Sequence, residues 1–178
     1  MNVTFVSSYY NHHQSSLALA LYKELGDRFT FIQTKPMSVE RKELGYNNAF
    51  CESFIISLWD DREKCIETIN NADAVIFGSA PEYLLKKRIK ENKIILRYSE
   101  RPLKNGVEPL KYIPRFVKWH FKNPAKKPIY LLCASAYTAP DYALFGLFKN
   151  KAFKWGYFPE VKNYSFGIES LIDKKKPN

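Results

Sequence analysis

Seven short apolar runs, rich in β-branched and aromatic residues, recur along this chain with helical spacing in several of the gaps between them. The runs are "VTFVS" (3–7), "FTFIQ" (29–33), "SFIIS" (53–57), "AVIFGS" (74–79), "IILRYS" (94–99), "IYLLCAS" (129–135) and "AFKWGYF" (152–158). Several are apolar at consecutive positions, as strands buried on both faces are, whereas half-exposed strands alternate. Leu17, Leu19, Ala20, Leu21 and Leu25 mark one helical pattern, Cys65, Ile66 and Ile69 a second, and Tyr83, Leu84, Leu85 and Ile89 a third. Gly26 stands where a left-handed cap closes the first helix, and Pro81 suits the first turn of the third, where its missing N–H is not needed. The alternation predicts an α/β fold: a mostly parallel sheet of about seven strands with helices on both faces.

A length of 178 residues suits a single domain that buries roughly 70% of its unfolded surface. Cys51, Cys65 and Cys133 are odd in number and form no C-x-x-C pair, so neither a disulfide framework nor a zinc site is indicated. The start "MNVTFVSSYY" has no basic leader, and no run approaches the roughly 18 apolar residues of a membrane span. A reduced, cytoplasmic, soluble protein is expected. The formal charge of +10 favours phosphate-bearing ligands, nucleic acid or an anionic membrane face without choosing among them. The tail "LIDKKKPN" is charged and carries no helix or strand signal. Residues 1–168 therefore read as the domain and 169–178 as the start of a linker.

The turns after the strands hold the chemistry, because ligands of open α/β sheets bind at the carboxyl ends of strands. After the first run, Asn11, His12, His13 and Gln14 precede a helix whose N–H groups could meet an anion or a sugar hydroxyl. Two adjacent imidazoles in a chain with three histidines either line the crevice or merely cap the helix. No G-x-G-x-x-G and no G-x-x-x-x-G-K-[ST] is present, which removes the best support for dinucleotides and nucleoside triphosphates. In "FGSAPEYL", Gly78 and Ser79 allow close backbone approach, and Glu82 falls in a first helical turn where the dipole alone favours it. In "RYSERP", Glu100 lies between Arg97 and Arg101, beside Ser99, and a carboxylate so placed is ionised. Ser135 and Tyr137 occupy the turn of "LLCASAYTAPDYALFG", where the G-x-S-x-G elbow of a hydrolase is missing.

The segment "PLKYIPRFVKWHFKNPAKK" (109–127) interleaves Lys111, Arg115, Lys118 and Lys122 with Tyr112, Phe116, Trp119 and Phe121. At helical spacing Tyr112, Phe116 and Trp119 share a face. Three readings stay open: an interfacial membrane helix, a single-stranded nucleic-acid surface, or a helix burying its aromatics in its own domain. No RNP1 or KH pattern supports RNA.

Taken together, "SSYYNHHQ", "RYSERP", "LLCASAYTAPDY" and "KWGYFPE" resemble the amino-terminal half of a bacterial two-domain glycosyltransferase of the B type, the kind that builds surface polysaccharide. The resemblance spans essentially the whole chain. It implies a Rossmann-like first domain that holds the acceptor, with a second domain, absent here, gripping the nucleotide-sugar. Asn11, His12, His13 and Gln14 match the family's first loop, which reaches the interdomain cleft. Ser99 and Glu100 fall where relatives carry a His-Asp pair near the reacting sugar, so Glu100 keeps the catalytic carboxylate while His12 or His13 replaces the lost imidazole. Ser135 to Tyr137 match the serine-containing loop after the sixth strand.

The implied protein is a hexosyltransferase, retaining in outcome, that moves a sugar from a nucleotide-sugar to a polysaccharide or lipid-linked acceptor. Its cleft residues are Asn11, His12, His13, Gln14, Ser79, Glu82, Ser99, Arg101, Ser135 and Tyr137. This domain alone is expected to be inactive and to bind no cofactor or metal. Lys111, Arg115, Lys118, Trp119 and Lys122 would face an anionic surface, peripheral at the inner membrane. The rivals are a stand-alone module for nucleic acid or another anionic polymer, and a flavodoxin-like flavin binder.

Overall fold

The computed structural model of the chain describes residues 1–43 and 52–159; Cys51 and the stretch read as a linker lie outside them. All seven expected strands form: β1 (Val3–Ser7), β2 (Phe29–Gln33), β3 (Ile55–Ser57), β4 (Ala74–Phe77), β5 (Ile94–Ser99), β6 (Ile129–Cys133) and β7 (Ala152–Lys154). They build one sheet in the order β3-β2-β1-β4-β5-β6-β7, and every pair is parallel. The sheet is a Rossmann-like α/β sheet. The helices are α1 (His12–Leu25), α2 (Val39–Glu43), α3 (Arg62–Asn71), α4 (Lys86–Lys90), α5 (Pro109–Lys122) and α6 (Thr138–Ala143).

Strand alternation divides the core in two. Phe5, Phe29, Phe31 and Ile76 join Ala18 and Tyr10 on the side covered by α1. Val6, Ile32, Val75, Phe77 and Ile95 face Cys65 and Ile69 of α3 and Leu84 and Leu85 on the other. Within α1 the inward column is Ser15 and Ala18, backed by Leu21, Tyr22 and Leu25. Leu19 and Ala20, expected among the apolar set, point outward because they fall a quarter-turn and more off that column.

Two cap readings need adjustment. Gly26 does close α1 with a positive φ of 58°, but its ψ of −135° lies outside the left-handed helical well, in a region that glycine alone enters easily. The third helical pattern opens as a 3-10 turn, Glu82–Leu85, before α4, with Pro81 at its N-cap. The ends of "SFIIS" and "AFKWGYF" leave the ladder, so β3 and β7 are three-residue edge strands. Short edges of this kind offer little template for unwanted pairing. No helix among the described residues is long and apolar enough to cross a membrane.

Candidate functional site

The chain winds outward from β1 through β2 to β3, then crosses back to lay β4 on the other side of β1. That reversal opens a crevice beyond the strand ends. A cavity of about 340 Å³ occupies it. Ser7, Ser8, Tyr9, Asn11, His13 and Gln14 line it from the end of β1 and the start of α1, Ser79 from the turn after β4, Tyr98 from β5, Glu100 from just past its end, and Tyr157 from beyond β7. No lysine or arginine is among these lining residues.

The start of α1 is tied down internally. Asn11 is its N-cap, its Oδ1 accepting from the His13 N–H at 2.9 Å, while the N–H groups of Gln14 and Ser15 donate to the Asn11 carbonyl at 2.9 and 2.8 Å. Those three amides are therefore committed, and the helix start is a poor anion cradle. The side chains do more. Gln14 Nε2 donates to Ser7 Oγ at 3.0 Å, and Gln14 Oε1, itself buried, has no hydrogen-bond partner among the described residues. Ser8 Oγ donates to the Ser79 carbonyl at 2.6 Å, joining the two turns across the switch point. A Cβ on Gly78 would sit 3.3 Å from Ser7 Oγ. A larger residue there would have to push the Ser7 hydroxyl aside by a few tenths of an ångström.

The imidazoles separate. Both are exposed, but His13 lines the crevice with its ring 6.0 Å from that of Tyr157, while His12 lies outside the lining with its ring centre 4.0 Å from that of His13. Tyr157 stands edge-on to Tyr98 with ring centres 6.3 Å apart and shares the crevice wall with the Glu100 carboxylate. Burial, with that carboxylate beside it, pushes the Tyr157 phenol above its ordinary range. Burial likewise pushes Tyr98 up to about 12, with Glu100 adding to the effect. Both phenols are neutral donors at physiological pH.

No protein-family model matches the chain, and no curated protein matches it. Among solved structures it is similar to an alpha-glucosyltransferase in complex with UDP-glucose and DNA containing an abasic site, at 13% identity and a TM-score of 0.49. The likeness covers 88% of this chain and 42% of that one, so the chain spans less than half the length of that structure.

Glu100 is not flanked by arginines as its sequence neighbours suggest. Arg97 is buried on the opposite side of β5, where Nη1 meets Glu82 at 2.9 Å and Nη2 donates to the Lys122 carbonyl at 2.9 Å. Lys122 Nζ joins the same carboxylate at 3.0 Å. Glu82 thus ties the turn before α4 to the end of α5, outside the crevice lining. Arg101 Nε pairs with Asp141 at 3.0 Å and its guanidinium lies over the Tyr137 ring at 5.0 Å. Asp141 also accepts from the Leu103 N–H at 3.0 Å. Ser99 Oγ turns to the Glu100 carbonyl at 2.8 Å and to the Tyr142 hydroxyl at 3.2 Å. Ser135 Oγ is bound to Thr138 Oγ1 at 3.1 Å and borders a separate cavity of about 460 Å³ with Phe153 and Trp155.

The structure therefore gathers Asn11, His13, Gln14, Ser79 and Glu100 in one crevice, and sets Glu82, Ser99, Arg101, Ser135 and Tyr137 in contacts around it. Tyr98 and Tyr157 were missed as crevice residues. In the sequence Tyr98 belongs to a strand run and Tyr157 to the last apolar run, and only the abundance of tyrosine hints at either. On α5, Trp119 turns inward, 4.6 Å from Phe145 and 5.2 Å from Tyr142, and Tyr112 stacks on Phe145 at 4.7 Å. Trp119 is thus part of a small core rather than of an anion-facing surface.

Proposed function

We propose that this chain is the acceptor-side domain of a two-domain glycosyltransferase that moves a sugar from a nucleotide-sugar to a carbohydrate or lipid-linked hydroxyl. The observation that carries this reading is the crevice lining: hydroxyls, side-chain amides, one imidazole, one carboxylate and tyrosine rings, with no lysine or arginine. Such a wall suits a neutral polyol, whose hydroxyls both donate and accept and whose C–H faces lie against aromatic rings. The sequence resemblance supports the same reading and implies a donor site on a second domain.

In this scheme Glu100 accepts the hydrogen bond of the attacking hydroxyl and orients it, with His13 and Ser79 holding neighbouring hydroxyls. The departing nucleotide diphosphate is stabilised by positive groups of the donor half. An anionic-polymer module is the second reading, favoured by the charge of +10 but not by the crevice. The two separate in one NMR titration of the labelled chain. Neutral oligosaccharides are expected to shift the amides around His13, Ser79 and Glu100 with little dependence on salt. Shifts produced only by a single-stranded oligonucleotide or pyrophosphate, and lost steeply with salt, would replace the acceptor reading by the anionic one. Nucleotide-sugars mixed with the chain alone are expected to release no nucleotide diphosphate.

A further inference from the structure

Helix α5 turns its apolar side chains two ways. Tyr112 and Trp119 pack inward against Phe145. On the opposite arc Leu110, Ile113, Val117 and Phe121 are 95%, 72%, 46% and 81% exposed, the largest cluster of exposed apolar side chains on any described element. Their spacing, i, i+3, i+7 and i+11, makes one continuous stripe. Lys111 and Lys118 border it along one side. The stretch 109–127 contains no acidic residue. Lys118 has no ion-pair partner among the described residues, whereas Lys111 and Arg115 share Glu108 just before the helix.

We propose that this stripe is a docking face for an anionic lipid bilayer, with Leu110, Ile113, Val117 and Phe121 entering the headgroup boundary and the lysines lying against the phosphates. Charge complementarity selects this occupant. A row of apolar residues bordered on one side by Lys118, which has no ion-pair partner among the described residues, and by Lys111 meets both requirements of an interfacial helix. A nucleic-acid surface would use the lysines and aromatic faces but would give the exposed aliphatic side chains of Leu110, Ile113 and Val117 no partner. The proposal is independent of what binds in the crevice. It also moves the membrane contact away from Trp119, the residue that sequence spacing had assigned to it.

Co-sedimentation of the full chain with vesicles tests it, using phosphatidylcholine alone and phosphatidylcholine mixed in equal parts with phosphatidylglycerol. The chain is expected to sediment with the anionic vesicles and to be released by salt. Ile113→Asp/Val117→Asp should weaken partitioning by about tenfold or more, and Lys118→Ala by about fivefold at low salt. All three positions are exposed, so thermal unfolding should match the parent chain. Failure to bind anionic vesicles at low salt, or equal partitioning of parent and double variant, overturns the proposal. So does a dimer in sedimentation velocity that the double variant abolishes without any vesicle binding, since the stripe would then serve a second copy of the chain.

Discussion

Arg88 shows how far one side chain can organise this fold. It is fully buried, and its guanidinium donates to the carbonyls of Ile69 and Ala72 at 2.7 Å from Nη1, and to those of Ile94 at 2.7 Å and Asp73 at 3.3 Å from Nη2. These carbonyls belong to the end of α3, the turn after it and the start of β5, so one residue caps a helix and joins two crossovers. Burial lowers its pKa, and the charge of Asp73 opposes that shift. Arg88→Ala would leave those carbonyls buried without donors. A loss of about 3–5 kcal/mol is expected in urea unfolding, with Arg88→Lys recovering only part, because an ammonium cannot reproduce the planar fork. In the crevice, His13→Ala should weaken saccharide binding several-fold in the same NMR titration while His12→Ala leaves it unchanged. Equal effects from the two would remove the distinction drawn from their placement. That distinction was not legible in the sequence. A step of about 100° along a helix separates neighbours, but nothing local says which one meets the turn after β4.

At the scale of elements, the strands were legible because a parallel sheet covered on both faces needs uninterrupted apolar runs, and no helix pattern competes with "AVIF" or "IYLLC". What failed was the reading of "RYSERP" as one cluster. Successive residues of a strand point to opposite faces, so Tyr98 reaches the aromatic core beside α1 while Arg97 reaches Glu82 and α5. Their partners lie on elements distant in sequence, which no spacing rule within β5 can supply. The Glu82 contact is the one that fixes the end of α5. Arg97 Nε is already buried without a partner, so Glu82→Ala would leave most of that guanidinium uncompensated. The variant should lose about 2 kcal/mol of stability, less than a fully buried pair because both Glu82 and Lys122 keep some contact with water. Hydrogen exchange should show the loosening at residues 119–122 and not in α1. Equal loosening in both would make the loss a global one and deny the carboxylate its local role.

For the whole molecule, the same burial that shapes the two cores sets a limit at high pH. Tyr10 is buried against Phe31 and Phe54, and burial, with the charge of Glu52 behind it, pushes its phenol from 10.0 up to about 12. Cys65, in the core on the other face, is pushed from 9.0 up to about 11, by burial first and then by Asp61. Both groups are neutral in the folded state and lose their protons more easily once unfolded. Each folded pKa lies above its unfolded value, so the contribution to stability is complete below the unfolded pKa and disappears as pH rises through the folded one. The window runs from about 9 to about 12, the thiol acting first and the phenol last. Urea midpoints measured across that range should fall in two overlapping steps, one on each face of the sheet. Cys65→Ala removes the thiol and should lower stability at neutral pH through the small cavity it leaves, yet flatten the first step of the alkaline decline. A parent chain whose urea midpoint holds steady between pH 9 and 12 would show that neither group is held neutral by the core. A decline of the same shape in parent and variant would place the first step elsewhere than in the α3 side of the sheet.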